Sequence, residues 1–172
     1  MAHYGAGVEY ALHALLNLSL APDETAPSAR DLAEFQRLPL AFMRKLLTQL
    51  EKAGLIEGSE GLRGGWKLAR EPRKITVLEI AEAVQGPTPL FECREIRGRC
   101  ALWEEGAAPR AATSGVCEIH AVMLAAEAAM RRELAKSTLA DIAQRVMAKS
   151  ARPDSTAIPD WFAERYAERR KS

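Results

Sequence analysis

Two short amphipathic helices in close succession are the feature that most constrains the fold of this chain. The first opens at Ser28, a predicted N-cap with Asp31 three residues later, as in a capping box. The second spans about residues 40–53, with Pro39 expected at its first helical position. Two helices joined by so tight a break predict a helix-turn-helix unit.

A short hairpin is predicted directly after the second helix. Residues 55–57 and 66–68 have strand character, and the turn between them, 58–65, contains four glycines, which permit a tight reversal. Helix, helix and hairpin in this order predict a mainly α fold with a small β-hairpin wing, that is, a winged helix-turn-helix.

This fold predicts which side chains would meet DNA. The second helix would present Ala41, Arg44 and Lys45 to the major groove. Ser28 and the backbone N–H groups beside it would contact a phosphate, and Arg63 at the hairpin tip would enter the minor groove. The net charge is only +1, so binding would depend on this local basic surface.

A long amphipathic segment at about residues 118–135 follows the winged helix. The winged domain has little surface left to cover it, so we expect a dimerisation helix, and a homodimer that reads a pseudo-palindromic operator in double-stranded DNA.

Two further helices are predicted, one starting at Thr76, with Glu79 three residues later as in a capping box, and one starting at Ser137. The C-terminal tail, in which Trp161, Phe162 and Tyr166 are spaced like one face of a short helix, would dock on the body or stay loose. The predicted parts are a winged-helix DNA-binding domain (1–87), a cysteine-bearing sensor loop (88–117), a dimerisation helix with a short return helix (118–148) and the tail (149–172).

The sequence favours a cytoplasmic protein without a membrane partner. It has no apolar stretch long enough to span a bilayer and no signal-peptide pattern. Three cysteines, an odd number, argue against a disulfide framework and for a reducing compartment. It has no nucleophile–base motif and no phosphate-binding loop, so it does not predict an enzyme.

All three cysteines lie in the least regular part of the chain. Cys93, Cys100 and Cys117 fall within 25 positions, and His120 follows one helical turn later. Thiolates grouped in this way are typical of an iron–sulfur or zinc site, and the gaps do not match zinc-finger spacing. The alternative is three unrelated cysteines that behave as small apolar residues.

Three thiols leave a four-ligand site incomplete. His120 is one candidate for the missing ligand. Glu9 and His13, four residues apart and hence on one face of the first helix, are the others, although such a pair is also common on helix surfaces. A regulator without a metal, switched by thiol oxidation or by a small metabolite, remains the alternative function.

The sequence resembles the Rrf-type transcriptional regulators, the group that includes IscR, NsrR, RirA, CymR and RsrR. The resemblance covers roughly residues 8–147 and implies a homodimer with an N-terminal winged helix, a long crossing helix and, in many members, an iron–sulfur cluster whose state governs promoter affinity. It is strongest in Gly-Val-Glu-Tyr-Ala-Leu-His at 7–13, in 46–65, in 75–87 and in Ser-Thr-Leu-Ala-Asp at 137–141.

The first-helix stretch is most similar to the RsrR branch, in which a Glu and a His of one subunit and two Cys of the other hold a [2Fe–2S] centre. This similarity implies Glu9 and His13 as ligands and favours [2Fe–2S] over [4Fe–4S]. Cys117-x2-His120 is instead similar to the arrangement in IscR, where a His completes the site. Either ligand set implies a sensor of redox state, nitric oxide or iron–sulfur status.

Overall fold

A computed structural model describes residues 2–59, 64–104, 106–149 and 157–171. The chain forms two compact units, one made of residues 1–87 and 134–172 and the other of residues 88–133. The first unit contains the winged helix, and the second contains all three cysteines.

The core of the first unit is built on α1 (Ala6–Leu20), α2 (Ala29–Gln36) and α3 (Leu40–Lys52). Pro39 is the N-cap of α3 and not, as expected, its first helical residue. Arg37 adopts a left-handed backbone (φ 54°), which turns the chain between α2 and α3. Apolar side chains at helical spacing fill the space between the helices; those buried most completely include Leu15, Leu32, Met43, Leu47 and Leu50.

Two antiparallel strands, β1 (Ile56–Ser59) and β2 (Gly65–Leu68), form the hairpin. Ile56 pairs with Leu68 at the end of the hairpin nearest α3, where Ile56 is buried, while the rest of β1 is exposed. The opposite end, where Ser59 pairs with Gly65, flanks residues 60–63 and is the base of the wing. The predicted mainly α fold with a hairpin wing is confirmed, with β1 ending two residues later than expected.

A capping box starts α4 (Val77–Gln85), as the sequence predicted. The Thr76 hydroxyl accepts from the Glu79 N–H at 3.2 Å, and the Glu79 carboxylate accepts from the Thr76 N–H at 2.8 Å. Burial opposes the charge of Glu79, but hydrogen bonds from Thr76 and Arg70 outweigh it and lower the pKa of Glu79.

A second capping box starts α7 (Leu139–Lys149), but its capping residue differs from the one expected. Thr138, not Ser137, accepts from the Asp141 N–H, at 3.2 Å, and donates its own N–H to the Asp141 carboxylate, at 2.9 Å. The Ser137 carbonyl instead accepts from the Val77 N–H at 2.9 Å. The starts of α4 and α7 are thereby bonded to each other.

The described part of the tail forms α8 (Ala157–Arg169), which docks on the winged helix. Phe162 is 1% exposed and packs against Phe35 of α2, with ring centroids 5.1 Å apart. The predicted division grouped the return helix with the long helix. The structure instead groups α7 and α8 with the winged helix.

Most of the second unit consists of irregular chain and a long helix. A 3-10 turn at Ile96–Arg99 and α5 (Arg110–Thr113) precede α6 (Glu118–Lys136), a 19-residue helix with no buried residue. Ile119 and Val122 on α6 are 67% and 68% exposed. Among the helices of the described segments, none is both long and apolar enough to cross a membrane.

Candidate nucleic-acid interface and cysteine segment

Helix α3 has one buried face and one exposed face, as a recognition helix requires. Ala41, Arg44 and Lys45 are all exposed, while the buried residues of the helix are Met43, Leu46, Leu47 and Leu50. Thr48 shares the exposed face, and its hydroxyl donates to the Arg44 carbonyl at 3.0 Å. Thr48 was not among the predicted DNA contacts, although its position one turn after Arg44 places it on the same face of the helix. Two cations, a hydroxyl and a small side chain suit contacts to phosphates and base edges.

The start of α2 forms the predicted capping box, so two of its backbone N–H groups are already bonded. The Ser28 N–H donates to the Asp31 carboxylate at 2.8 Å, and the Asp31 N–H donates to the Ser28 hydroxyl at 3.1 Å. A phosphate at this helix start would therefore meet the N–H groups of Ala29 and Arg30, the positions that a capping box leaves open. The exposed Arg30 side chain adds a positive charge there.

The base of the wing lies directly on the segment before α2. The Trp66 N–H donates to the Pro27 carbonyl at 2.9 Å. A Cβ on Gly65 would lie 2.1 Å from the Ala26 carbonyl oxygen, so only glycine permits this approach. Arg63, the residue expected to enter the minor groove, lies outside the described residues.

Glu9 and His13 lie on the exposed side of α1, one turn apart, as predicted. Both line a mostly apolar cavity of about 510 Å³, together with Tyr4, Leu12 and Leu134. A carboxylate and an imidazole are therefore available side by side at a concave surface.

The three cysteines are free thiols, and each is half-buried. Cys93 Sγ accepts from the Glu95 N–H at 3.4 Å, and Cys100 Sγ donates to the Arg97 carbonyl at 3.5 Å. Glu95 adopts a left-handed backbone (φ 45°), which is uncommon for a side chain of this type. The two thiols thus flank one tight turn.

Arg97 ties this turn to the segment that precedes Cys117. Its guanidinium donates to the Glu95 carboxylate at 2.6 and 2.7 Å and to the Thr113 and Gly115 carbonyls at 3.0 Å. The hydrogen bonds with Glu95 raise the pKa of Arg97 and lower that of Glu95. The place of Arg97 between Cys93 and Cys100 predicts a positive charge beside the thiols, but no pattern predicts its hydrogen bonds to the chain before Cys117.

His120 lies near the start of α6, with its ring 6.0 Å from that of Phe91. Over the described residues, no three His, Cys, Asp or Glu side chains are arranged to hold a metal ion. The donors suit an iron–sulfur cluster, because they are accessible, unpaired thiols in one segment. The described residues of one chain do not assemble these donors, so a cluster held by them would need a rearranged segment or ligands from a second copy.

Comparison with known sequences gives a consistent family. The Rrf2 family, described as iron-dependent transcriptional regulators, matches residues 4–145. Protein rrf2 of Nitratidesulfovibrio vulgaris is 31% identical over 133 residues, covering 77% of this chain and 81% of that protein. The regulator NsrR of Shouchella clausii is 34% identical over 85 residues, which are 49% of this chain but only 57% of NsrR.

Solved structures share the fold at low identity. IscR of T. potens has a TM-score of 0.66 at 23% identity, with 88% of this chain and 93% of that chain covered. CymR, the global cysteine regulator of B. subtilis, has a TM-score of 0.66 at 22% identity, with 84% and 98% covered. These relatives are transcriptional regulators and not enzymes, as the sequence predicted for this chain. The chain therefore belongs to the Rrf2 family of winged-helix, DNA-binding transcriptional regulators.

Proposed function

We propose that this chain acts as a cytoplasmic homodimer whose affinity for a pseudo-palindromic operator is set by an iron–sulfur cluster bound through segment 88–117. The observation that carries the proposal is the cysteine segment itself. Its three thiols are free and accessible, and Arg97 ties the turn between Cys93 and Cys100 to the chain before Cys117. The description of the family as iron-dependent supports the same reading.

Cys93, Cys100 and Cys117 would hold the cluster, which we propose to be [2Fe–2S]. Four ligands are needed, so these thiols would not all bind together with Glu9 and His13. Either two of them would bind with Glu9 and His13 of a second copy, or all three would bind with His120, the alternative. When bound, the cluster would supply a reversible one-electron change in charge. The exposure of Glu9 and His13 supports their availability to a second copy.

DNA would be read by α3 through Ala41, Arg44 and Lys45. The helix start at Ser28 would meet a phosphate, and Arg63 in the wing would enter the minor groove. The exposure of the three α3 side chains supports this assignment.

A second copy of the chain would pair through α6. The helix has 19 residues and none is buried, while Ile119, Val122 and Leu124 are 67%, 68% and 44% exposed. Large apolar side chains at such exposure favour an association surface. A dimer through α6 would also place two reading heads on one operator, as a pseudo-palindrome requires.

Thiol oxidation without a metal is the second candidate. The same accessibility that suits ligands also exposes the thiols to oxidants, and the described residues contain no assembled ligand group.

Anaerobic purification with iron and sulfide quantification separates the two candidates. A coloured protein that contains both elements, and whose DNA affinity changes when the cluster is oxidised or removed, supports the cluster. Cys93→Ser, Cys100→Ser and Cys117→Ser, tested one at a time, should then lose colour wherever the replaced thiol is a ligand. Glu9→Ala and His13→Ala, compared with His120→Ala, identify the remaining ligands. A colourless protein whose DNA binding responds to oxidants would overturn the cluster and support the thiol switch.

A further inference from the structure

Arg169, in the last turn of α8, contacts the reading head at three points. Its guanidinium donates to the Gly64 carbonyl at the base of the wing at 2.9 Å and to the Ala26 carbonyl at 2.7 Å. It also forms an ion pair with the Asp31 carboxylate at 3.2 Å. One planar side chain therefore connects the wing, the segment before α2 and the first turn of α2.

The Asp31 end of this connection is buried. Asp31 is 5% exposed, and its carboxylate also accepts from the Ser28 N–H in the capping box of α2. A buried carboxylate requires both hydrogen bonds and a countercharge, and Arg169 supplies the charge. The ion pair thus links the wing base to the helix start at which we expect a DNA phosphate.

Helix α8 is itself held firmly enough to carry Arg169. Phe162 is buried against Phe35, and the Trp161 ring also contacts Phe35 at 5.1 Å. Arg165 forms an ion pair with Glu34 on α2. All of α8 lies beyond residue 145, where the match to the Rrf2 family ends, so this contact is an addition to the shared domain.

We propose that Arg169 is a positioning residue for DNA binding. It holds the wing base against the start of α2, so that wing and α3 reach the duplex with a fixed spacing. The proposal rests on the proposed DNA contacts of α3 and the wing. An arginine is required because its planar group reaches two carbonyls and a carboxylate at once, whereas a lysine offers a single point charge.

An alternative explanation is that the positive charges at the end of α8 attract DNA phosphates directly. Arg170 and Lys171 follow Arg169 directly, and both are exposed. Arg170→Ala is therefore a matched control, because it removes the same charge from the residue directly after the end of α8.

The test compares Arg169→Ala, Arg169→Lys and Arg170→Ala in the full chain. The DNA probes are a duplex selected by the wild-type protein from a random pool and a random-sequence duplex. We expect Arg169→Ala to raise Kd for the selected duplex about tenfold. Arg169→Lys should recover only part of the loss, and Arg170→Ala should change Kd less than twofold, as a surface charge does. Amide hydrogen exchange in residues 56–68 should accelerate in Arg169→Ala alone.

Equal losses in Arg169→Ala and Arg170→Ala, with unchanged exchange in the hairpin, would overturn the positioning role in favour of direct phosphate attraction. Wild-type affinity and exchange in Arg169→Ala would overturn it as well. Arg44→Ala reports separately on the proposed recognition helix. If that variant binds normally, the assignment of α3 fails, whereas a loss in Arg44→Ala without one in Arg169→Ala rejects only the inference about Arg169.

Discussion

The ring of Tyr10 meets the ring of Phe42 edge-on, with centroids 5.7 Å apart and planes at 89°. Tyr10 follows Glu9 on α1, and Phe42 follows Ala41 on α3. The helix that carries two proposed cluster ligands therefore touches the helix proposed to read DNA. A rotation of α1 would reach α3 through this contact as well as through the core that the two helices share.

A double-mutant cycle on this pair measures the contact. Tyr10→Leu and Phe42→Leu should each lower the free energy of unfolding, with a coupling of about 0.5–1.5 kcal/mol in urea denaturation. In protein with a bound cluster, either change should also reduce the difference in DNA affinity between loaded and cluster-free forms. The prediction fails if the losses in unfolding free energy are strictly additive and the difference in DNA affinity between loaded and cluster-free protein is unchanged.

Gly65→Ala tests the close packing of the wing base on the segment before α2. The new Cβ would lie 2.1 Å from the Ala26 carbonyl oxygen, a backbone atom that cannot move aside, so the hairpin must shift. We expect a loss of about 1–3 kcal/mol in unfolding free energy together with weaker DNA binding. Gly5→Ala is the control, because its Cβ would meet the Gln85 side chain at an ordinary 3.7 Å. A wild-type melting temperature for Gly65→Ala would contradict the packing described.

The Glu79 capping box predicts a pH dependence of stability. Because the pKa of Glu79 is lowered in the folded protein, its contribution is complete above the unfolded-state pKa of about 4.3 and is lost as pH falls through the folded-state pKa. Urea unfolding measured across this acidic range should therefore show a steeper loss in wild type than in Glu79→Gln. Glu57→Gln, on an exposed strand position, should keep the wild-type slope. Identical slopes in wild type and Glu79→Gln would refute the prediction.

Arg97→Ala tests the tie within the cysteine segment. Without hydrogen bonds to the Thr113 and Gly115 carbonyls, the segment should open more often. Alkylation of Cys93 and Cys117 in metal-free protein, followed by mass spectrometry, should accelerate about tenfold. Arg94→Ala removes an exposed charge from the same loop and should leave both rates near wild type. If Arg97→Ala and Arg94→Ala gave equal alkylation rates, the charge of the loop and not the hydrogen bonds of Arg97 would control access to the thiols.

Salt dependence distinguishes phosphate contacts from base contacts on α3. Replacing a lysine or arginine that binds phosphate should lower the slope of log Kd against log salt by about one. We expect this from either Lys45→Ala or Arg44→Ala, and a sequence-selective loss with little change in slope from whichever of the two reads a base. Glu51→Gln on the same helix adds no positive charge and serves as the control for general damage. Unchanged affinity and slope in both alanine variants would remove α3 from the interface.

Local rules made most of the winged helix predictable. Helical periodicity identified α1 to α4, and the box at Thr76 was predicted from residue types three positions apart. Ser137 is not the cap because Thr138, with Asp141 three residues later, forms the capping box. The Ser137 carbonyl accepts from Val77, a partner 60 residues earlier that no local pattern indicates. Similarly, the tail contained the aromatic spacing of a helix, but its docking depends on the surface that Phe35 presents, which exists only after α2 has packed.

The cysteine segment was less predictable for a related reason. Residue types predicted Cys93, Cys100 and Cys117 as donors, because thiols grouped in so irregular a stretch are typical of a metal or cluster site. The hydrogen bonds of Arg97 depend on a left-handed turn at Glu95, which no pattern in the sequence predicts. The open choice between His120 and the Glu9–His13 pair concerns contacts between copies, and these lie beyond the reach of spacing within one chain.

The bond from Arg169 to Ala26 joins residues 143 positions apart. Contacts of such separation form late, since the chain between them must already be synthesised and folded. In a nascent chain on the ribosome, α2, α3 and the hairpin are therefore synthesised well before Arg169 can bond to Ala26, Asp31 and Gly64. On our proposal, full DNA affinity requires Arg169 to have been synthesised, so a product truncated before this residue would compete poorly for the operator.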